Sequence, residues 1–469
     1  MKEMRLSTRL CDGIKAFLKD LDNHDYRIHS LMIASGDDVI YRSIAEPYTF
    51  DTPHRLFSSA KSILVLGIMK AMQDGYLKTT DYVSDFFPEY EVTDPRLKKM
   101  IVEDLLTMCT GQEEDPFVLL FQDFDTDLFE AFFKTPAVEM PGEKFRYNNT
   151  VPHLVYGVTE RAVNEPFEVY MNRHFCDPLH APLLAPINTK GQYNPVVTCT
   201  SADSFMKYAQ LFLLEGTYRG KEYIKPELIR EATRMHTATG MEGNYAGYGW
   251  QIWMNKFGGY RMDGGWGQYA FILPQENIAV TVMSDMTKCE YLVEAFEHIL
   301  FPAIKEMAAD RNETEQIPQI SSLAPVGKAI PDTELFDEVF EGEGISIKLQ
   351  LKYCEEGQQK IELIQNGKGY QIGLGYFVQN EGYRSRDFSI DHSVYGTKNN
   401  EVLLAGAFTE SDVLIIRGKC FGEMGETYCR MKFHSDSVDV RYTPLSIHGI
   451  SGRSIEEMKE VILWRNRKN

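Results

Sequence analysis

Residues 55–77 read RLFSSAKSILVLGIMKAMQDGYL. Ile63, Leu64, Leu66, Gly67, Ile68 and Met72 leave this stretch apolar nearly all round, which predicts a buried helix over 58–75 with Gly75 as its stop. Two serines and a lysine stand at its head. Helical residues three apart share a face, so Ser58 meets Lys61, whereas the partner of Ser59 is another serine, Ser62. Two chemistries fit this placement. Ser58 can cap the helix while Lys61 snorkels to water. Alternatively, Ser58 is a nucleophile: a helix start points backbone N–H groups outward and favours negative charge, and a lysine drawn into an apolar helix loses basicity by desolvation and can take a serine proton.

The whole chain bounds these options. Its 469 residues suffice for two or three domains, and 43% apolar, 25% charged and 12% aromatic residues make a globular composition. A net charge of −19 disfavours nucleic acid and anionic membrane surfaces as partners. Leu6, Leu10, Ile14, Phe17, Leu18 and Leu21 fall along one helical face with charges between them, unlike an unbroken export signal. The longest apolar run, residues 62–69, is too short to cross a bilayer. The expectation is a cytoplasmic protein. Its eight cysteines are scattered without CxxC or paired spacing, which reads as free thiols in a reducing compartment. The eleven histidines form no HExxH or similar set, so neither a metal nor a cofactor is expected.

Along the chain, HSLMIASGDDVIYRS (29–43) reads as a hairpin about a Gly-Asp-Asp turn. Residues 95–240 are mostly helical. Strand-like pieces follow: YGWQIWMN (248–255), YRMDGG (260–265), QYAFILP (268–274) and NIAVTVMSD (277–285), then a helix over about 288–308. Strands at both ends of a helical middle predict an α+β domain over 1–308, an antiparallel sheet with helices on its faces. Residues 309–335 are polar and carry three prolines, and read as a linker. Beyond them the period becomes two, as in Ile345, Ile347, Leu349 and Leu351, and Asn366-Gly367 marks a hairpin turn. Residues 336–469 therefore form a C-terminal antiparallel β domain without a catalytic constellation.

Two further pieces carry chemistry. Tyr147-Asn148-Asn149 follows a Pro141-Gly142 loop and precedes a helix; Tyr170–Asn172 repeats the spacing mid-helix, where a packing tyrosine is the better reading. Ser204–Lys207 repeats the Ser-x-x-Lys spacing in what reads as a capped helix with an exposed lysine. Gly264, Gly265 and Gly267 stand just before a strand, where glycine permits a bulge, a tight turn or the close approach of a ligand.

Taken in order, FSSAKSI (57–63), IVEDLLTMCTG (101–111), PGEKFRYNN (141–149), CTSADSFMKYAQLFLLEGTYRGKEYI (199–224), YGWQIW (248–253) and GGWGQYAFILPQENIAVTVMSD (264–285) resemble the serine β-lactamase and penicillin-binding-protein-like hydrolases, in the class C-related branch of esterases, peptidases and amide hydrolases. The resemblance covers about residues 28–305 and implies a β-lactamase/transpeptidase-like fold. It implies that Ser58 is acylated and that Lys61 and Tyr147 share the base role. Asn149 would orient Lys61 and substrate. The oxyanion hole would combine the Ser58 N–H with one from the strand near Gly267–Tyr269, and Trp266, Gly267 and Gln268 would line the substrate site. A lysine cation beside Tyr147 would draw the phenol toward ionisation.

One departure bears on substrate. The family's third motif begins with lysine or histidine, whereas this strand offers Asp263, Gly264, Gly265, Trp266 and Gly267. Without a cation to grip a carboxylate, the expected activity is ester or amide hydrolysis through a Ser58 acyl-enzyme on a small molecule or short peptide. The alternatives are a β-lactamase or D-amino-acid peptidase, and a non-catalytic binding or sensor module on the same fold. The acidic loop Glu113–Asp115, if it rims the pocket, would favour a neutral or cationic substrate. Trp250, Trp253 and Trp266 could line an apolar acyl pocket, core packing being at least as good a reading for the first two.

Overall fold

The computed structural model describes residues 6–24, 26–123, 125–185, 198–285, 289–307, 310, 312–314, 316–327, 330, 336–353, 359–380, 402–419, 427–443 and 459–466. It divides into two compact units, one of Met1–Ile44 with Phe50–Ile320 and one of Ala45–Thr49 with Ser321–Asn469.

The first unit is built on an eight-stranded antiparallel sheet. Its main strands are β1 (Ile28–Ser35), β2 (Asp38–Ile44), β3 (Tyr260–Gly264), β4 (Gln268–Leu273) and β5 (Ile278–Ser284). They lie in the order β2-β1-β5-β4-β3, continued by Trp253–Met254, Gly247–Tyr248 and Thr237–Ala238. Helices cover both faces, so every residue of β4 and β5 is buried and these strands are predominantly apolar on both faces. The two-residue period sorts them between two cores. Ala270, Ile272 and Ala279 face one side; Tyr269, Phe271, Leu273, Val280 and Val282 face the other.

On the second face lies α1 (Thr8–Asn23), whose Leu10, Ile14, Phe17 and Leu21 recur at helical spacing. With it packs a helical stretch over 289–307, where Phe296 stacks on Phe271 at 3.8 Å. On the first face lies α2 (Ser59–Gln73), which is buried continuously from Ser59 to Met69. It packs against α4 (Val151–Val163), while α3 (Val102–Leu106) packs on α4 in turn. A Cβ on Gly67 would come within 2.7 Å of the Phe167 ring, so glycine permits this close packing. Fully burying a leucine such as Leu66 contributes roughly 1.5–3 kcal/mol, which is why α2 is a fixed platform for whatever its first turn carries.

The helix α5 (Ala202–Leu213) is capped by the Ser201 side chain. Lys207 there donates to the His180 carbonyl at 2.7 Å, so the second Ser-x-x-Lys pair is structural. Tyr170 is a buried packing residue, as its helical context suggested. The stretch read as a linker is partly integrated into the first unit. Glu313–Thr314 pairs with Leu6–Ser7, Tyr41 donates to the Pro318 carbonyl, and Ser43 accepts from the Ile320 N–H. Backbone groups satisfied in this way replace water with protein partners, so polar composition alone did not make this segment free.

The second unit contains ten described strands from Val339–Gly342 to Lys459–Arg465 in one sheet. A parallel pairing of Gly373–Leu374 with Ala405–Gly406 closes that sheet into a barrel. Alternation places Ile347, Leu349, Ile361 and Leu363 in its core. The Asn366-Gly367 turn has φ of 48° and 81° between the paired Gln365 and Lys368, the left-handed geometry a tight hairpin needs.

Candidate active site

The chain approaches the first turn of α2 under tight constraint. His54–Arg55 pairs with Cys199–Thr200, Leu56 N–H donates to the Thr198 carbonyl, and Phe57 holds a φ of 48°. Ser58 follows at the helix start with helical φ and ψ, and its side chain makes no capping hydrogen bond. The cap reading therefore fails, and the hydroxyl is engaged elsewhere. Lys61 Nζ donates to Ser58 Oγ at 2.7 Å and to Asn149 Oδ1 at 3.0 Å. The same nitrogen lies 4.9 Å above the Tyr147 ring, and the Ser58 hydroxyl hydrogen-bonds the Tyr147 phenol. Lys61 and Tyr147, from two segments about ninety residues apart, thus converge on the Ser58 hydroxyl, with Asn149 holding the amine.

Lys61 is only 4% exposed. Burial lowers its pKa to about 7 against the opposing charges of Asp115 and Asp263. Burial pushes the Tyr147 phenol up, assisted by the same two carboxylates, against the hydrogen bond from Ser58. This corrects the sequence expectation that the lysine draws the phenol toward ionisation. Desolvation of both groups dominates, and it favours the neutral amine and the protonated phenol. Tyr147 is held by stacking on Trp253, with rings 5.7 Å apart and 22° from parallel. Trp250 and Trp253 are both buried in this core, which settles their reading as packing residues.

The glycine-rich turn meets the helix start differently from expectation. A Cβ on Gly264 would overlap the Leu56 carbonyl and lie 3.0 Å from Ser59 N, so the end of β3 abuts the nucleophile turn and only glycine fits. Ser59, fully buried, donates through Oγ to the Gln268 carbonyl at 2.6 Å and ties α2 to the start of β4. Gln268 is also fully buried, with its side-chain amide donating to the Trp266 and Ser284 carbonyls. A Cβ on Gly267 would strike Ser284 Oγ. The Gln268 side chain therefore faces into the sheet toward β5, and Gly267 sits in the hairpin turn just before β4. Trp266 stays half-buried in the turn with a φ of 65°.

The geometry brings a serine hydroxyl, a buried lysine amine and a tyrosine phenol together at a helix start. A sequence model described as Beta-lactamase matches residues 15–299. The chain belongs to the beta-lactamase family. No curated protein matches it. Among solved structures, this family member is similar to the octameric penicillin-binding protein homologue from Pyrococcus abyssi, at 16% identity and a TM-score of 0.51, over 92% of this chain and 97% of that one. It is similar to a penicillin-binding protein homologue from Caulobacter crescentus, at 16% identity and a TM-score of 0.52, over 64% and 98%. It is also similar to EstCE1, a hydrolase with promiscuous acyltransferase activity, at 17% identity and a TM-score of 0.50, over 62% and 98%. At these identities the likeness is one of fold.

In this family member the third-motif strand offers one cation, Arg261, and its guanidinium is spent. It is fully buried and donates to Asp263, the Asn244 carbonyl and Asn255 Oδ1. Asp263 is thus an ion-paired strand residue; burial pushes its carboxyl up against the pull of Arg261. The acidic loop is equally committed. Glu113 approaches Arg146 at 3.4 Å, and Asp115 accepts from the Asn149 N–H at 2.6 Å. His153, buried on the first turn of α4, is pushed down to about 3 by burial and the Lys61 charge, and so is neutral beside the amine. Sequence reading missed Ser59 and His153 as neighbours of the site, and took Asp115 only as a rim charge. Asp115 left a signal in the acidic run Glu113–Asp115 and in Asp115-Pro116, since Asp-Pro commonly opens a turn.

Away from the cleft, Glu103, Glu231 and His236 bring ligand atoms within 4.8 Å of one another. Arg234 grips both Glu231 oxygens, and His236 Nε2 contacts the Glu231 carbonyl oxygen at 2.9 Å, which makes a poor cation site. Cys11, Cys109, Cys176, Cys289 and Cys429 are free thiols; Cys354 and Cys420 lie outside the described residues. No helix among the described residues is long and apolar enough to cross a membrane.

Proposed function

We propose that this protein is a serine hydrolase that cleaves an ester or amide through a Ser58 acyl-enzyme. The carrying observation is the Lys61 amine, buried, lowered to about 7 and 2.7 Å from Ser58 Oγ. In its neutral form Lys61 takes the hydroxyl proton as Ser58 Oγ attacks the acyl carbon. The Ser58 N–H at the helix start, with a second N–H from the strand near Gly267–Tyr269, holds the developing oxyanion; one such donor is worth about 3 kcal/mol. Tyr147, protonated and bonded to Ser58, passes its proton to the leaving oxygen or nitrogen and recovers one from Lys61. Water then cleaves the acyl-enzyme with the same groups in reverse.

The substrate class follows from charge. With Arg261 engaged by Asp263, this strand lends no cation to a substrate carboxylate. That favours a neutral ester or amide over a β-lactam or a peptide C-terminus.

The test is a fluorophosphonate probe followed by intact-mass measurement. One adduct on the native chain, lost in Ser58→Ala, is expected. Folded protein that takes no adduct would sink the reading and leave a binding or sensor module. A panel of nitrophenyl esters, D-amino-acid amides and a chromogenic cephalosporin then sorts the substrate; rapid cephalosporin turnover would overturn the ester and amide preference.

A further inference from the structure

The loop that precedes the 3₁₀ turn Pro116–Phe121 carries a carboxylate with more partners than a rim charge needs. Asp115 Oδ2 accepts from the Asn149 N–H at 2.6 Å. Its Oδ1 accepts from the Thr150 N–H at 3.2 Å, the Thr150 hydroxyl at 2.7 Å and the Phe117 N–H at 3.1 Å. Asn149 and Thr150 close the turn that begins at Tyr147, and Asn149 Oδ1 accepts from Lys61 Nζ at 3.0 Å. A chain of short contacts thus runs from Asp115 through the Asn149 backbone and amide to the amine.

We infer that Asp115 is a positioning residue of this site, whose carboxylate both clamps the Tyr147–Asn149 turn against Lys61 and supplies the negative charge that the amine feels. The inference rests on the hydrolase reading above. Three observations support it. The Asn149 N–H bond is short and charge-assisted, the kind that fixes a turn. The neighbouring Asn148 side chain accepts from the Thr150 and Val151 N–H groups, so Asp115 and Asn148 together account for the start of α4 and leave the Asn149 side chain to Lys61. Among the carboxylates, the Asp115 charge acts most strongly on Lys61, ahead of Asp263.

The groups facing the amine come from every element around it. Ser58 lies on its own helix, Tyr147 and Asn149 on the turn, Asp115 on the preceding loop, Asp263 on β3 and His153 on α4. Asp263 is already paired with Arg261. His153 is neutral. Asp115 bonds to neutral donors only in these contacts, so its charge is not locally cancelled and reaches the amine. An anion beside an ammonium favours the protonated form. Removing that anion makes the amine neutral at lower pH, and the acid limb of the reaction moves down.

The experiment measures the rate of Ser58 phosphonylation against pH for the native chain and for Asp115→Asn and Asp115→Glu. The native limb is expected near pH 7. In Asp115→Asn the limb should move about one pH unit lower, as for loss of a charge within contact range. The limiting rate should fall by about 10-fold or more, because an amide places a donor against the Asn149 N–H and loosens Asn149. Asp115→Glu should return the limb toward its native position while the limiting rate stays reduced. If Asp115→Asn does not fold, Asp115→Ser, uncharged and smaller, must move the limb in the same direction. A folded, uncharged variant with the native limb and native limiting rate overturns the inference. A native chain that takes no label overturns the hydrolase reading, and this inference with it.

Discussion

Lys61 Nζ rests 2.7 Å from Ser58 Oγ with almost none of its side chain in water. A lysine lowered to about 7 from 10.5 is a destabilised residue as well as a base. Between those two values the folded chain holds it neutral while the unfolded chain binds a proton, so its contribution to stability rises with pH across that window. The penalty is fully present below about 7 and is gone above 10.5. Lys61→Met should therefore raise stability at pH 7 by on the order of 1–3 kcal/mol, abolish Ser58 labelling, and lose its advantage as pH approaches 10.5. Urea melts at pH 7 and pH 10 check this; equal differences at both values would refute it.

Tyr147→Phe separates acid catalysis from packing. The ring keeps its stack on Trp253, so the thermal midpoint should barely move. Loss of the phenolic proton should cost about 10²–10⁴ in kcat. The effect should be larger for an amide substrate, whose nitrogen needs that proton, than for an activated nitrophenyl ester. Comparable losses on both would reassign the phenol.

Ser59→Ala removes the tie between α2 and the Gln268 carbonyl and leaves that acceptor buried. Denaturant unfolding should show a loss of about 1–2 kcal/mol. A fall in kcat with KM unchanged is expected as well, because the tie holds the start of β4, which pairs with β3 at Gly264, against the nucleophile turn. A pure stability loss with native kcat would confine Ser59 to folding.

Gly264→Ala places a methyl group against the Leu56 carbonyl and Ser59 N. Backbone cannot yield as a flexible side chain can, so a loss of about 1–3 kcal/mol is expected. Fluorophosphonate labelling should slow at least as much as in Ser59→Ala. Native labelling in a folded Gly264→Ala protein would show that the strand end and the helix start are less closely joined than their contacts imply.

The sequence by itself determined the elements whose physics is local. Backbone sterics and side-chain periodicity make 59–73 a buried helix, place Ser58 and Lys61 on one face, and turn the alternating C-terminal pattern into strands closed at Asn366-Gly367. Only the tertiary structure decided what those residues do. That Ser58 is no cap, that Tyr147 is harder and not easier to ionise, that Gln268 turns into the sheet, and that Asp115 clamps Asn149 each depend on segments far apart in sequence. The reason is physical: hydrogen-bond partners and desolvation are set by what the fold brings within a few ångströms, and that proximity is not encoded in the spacing of any single stretch.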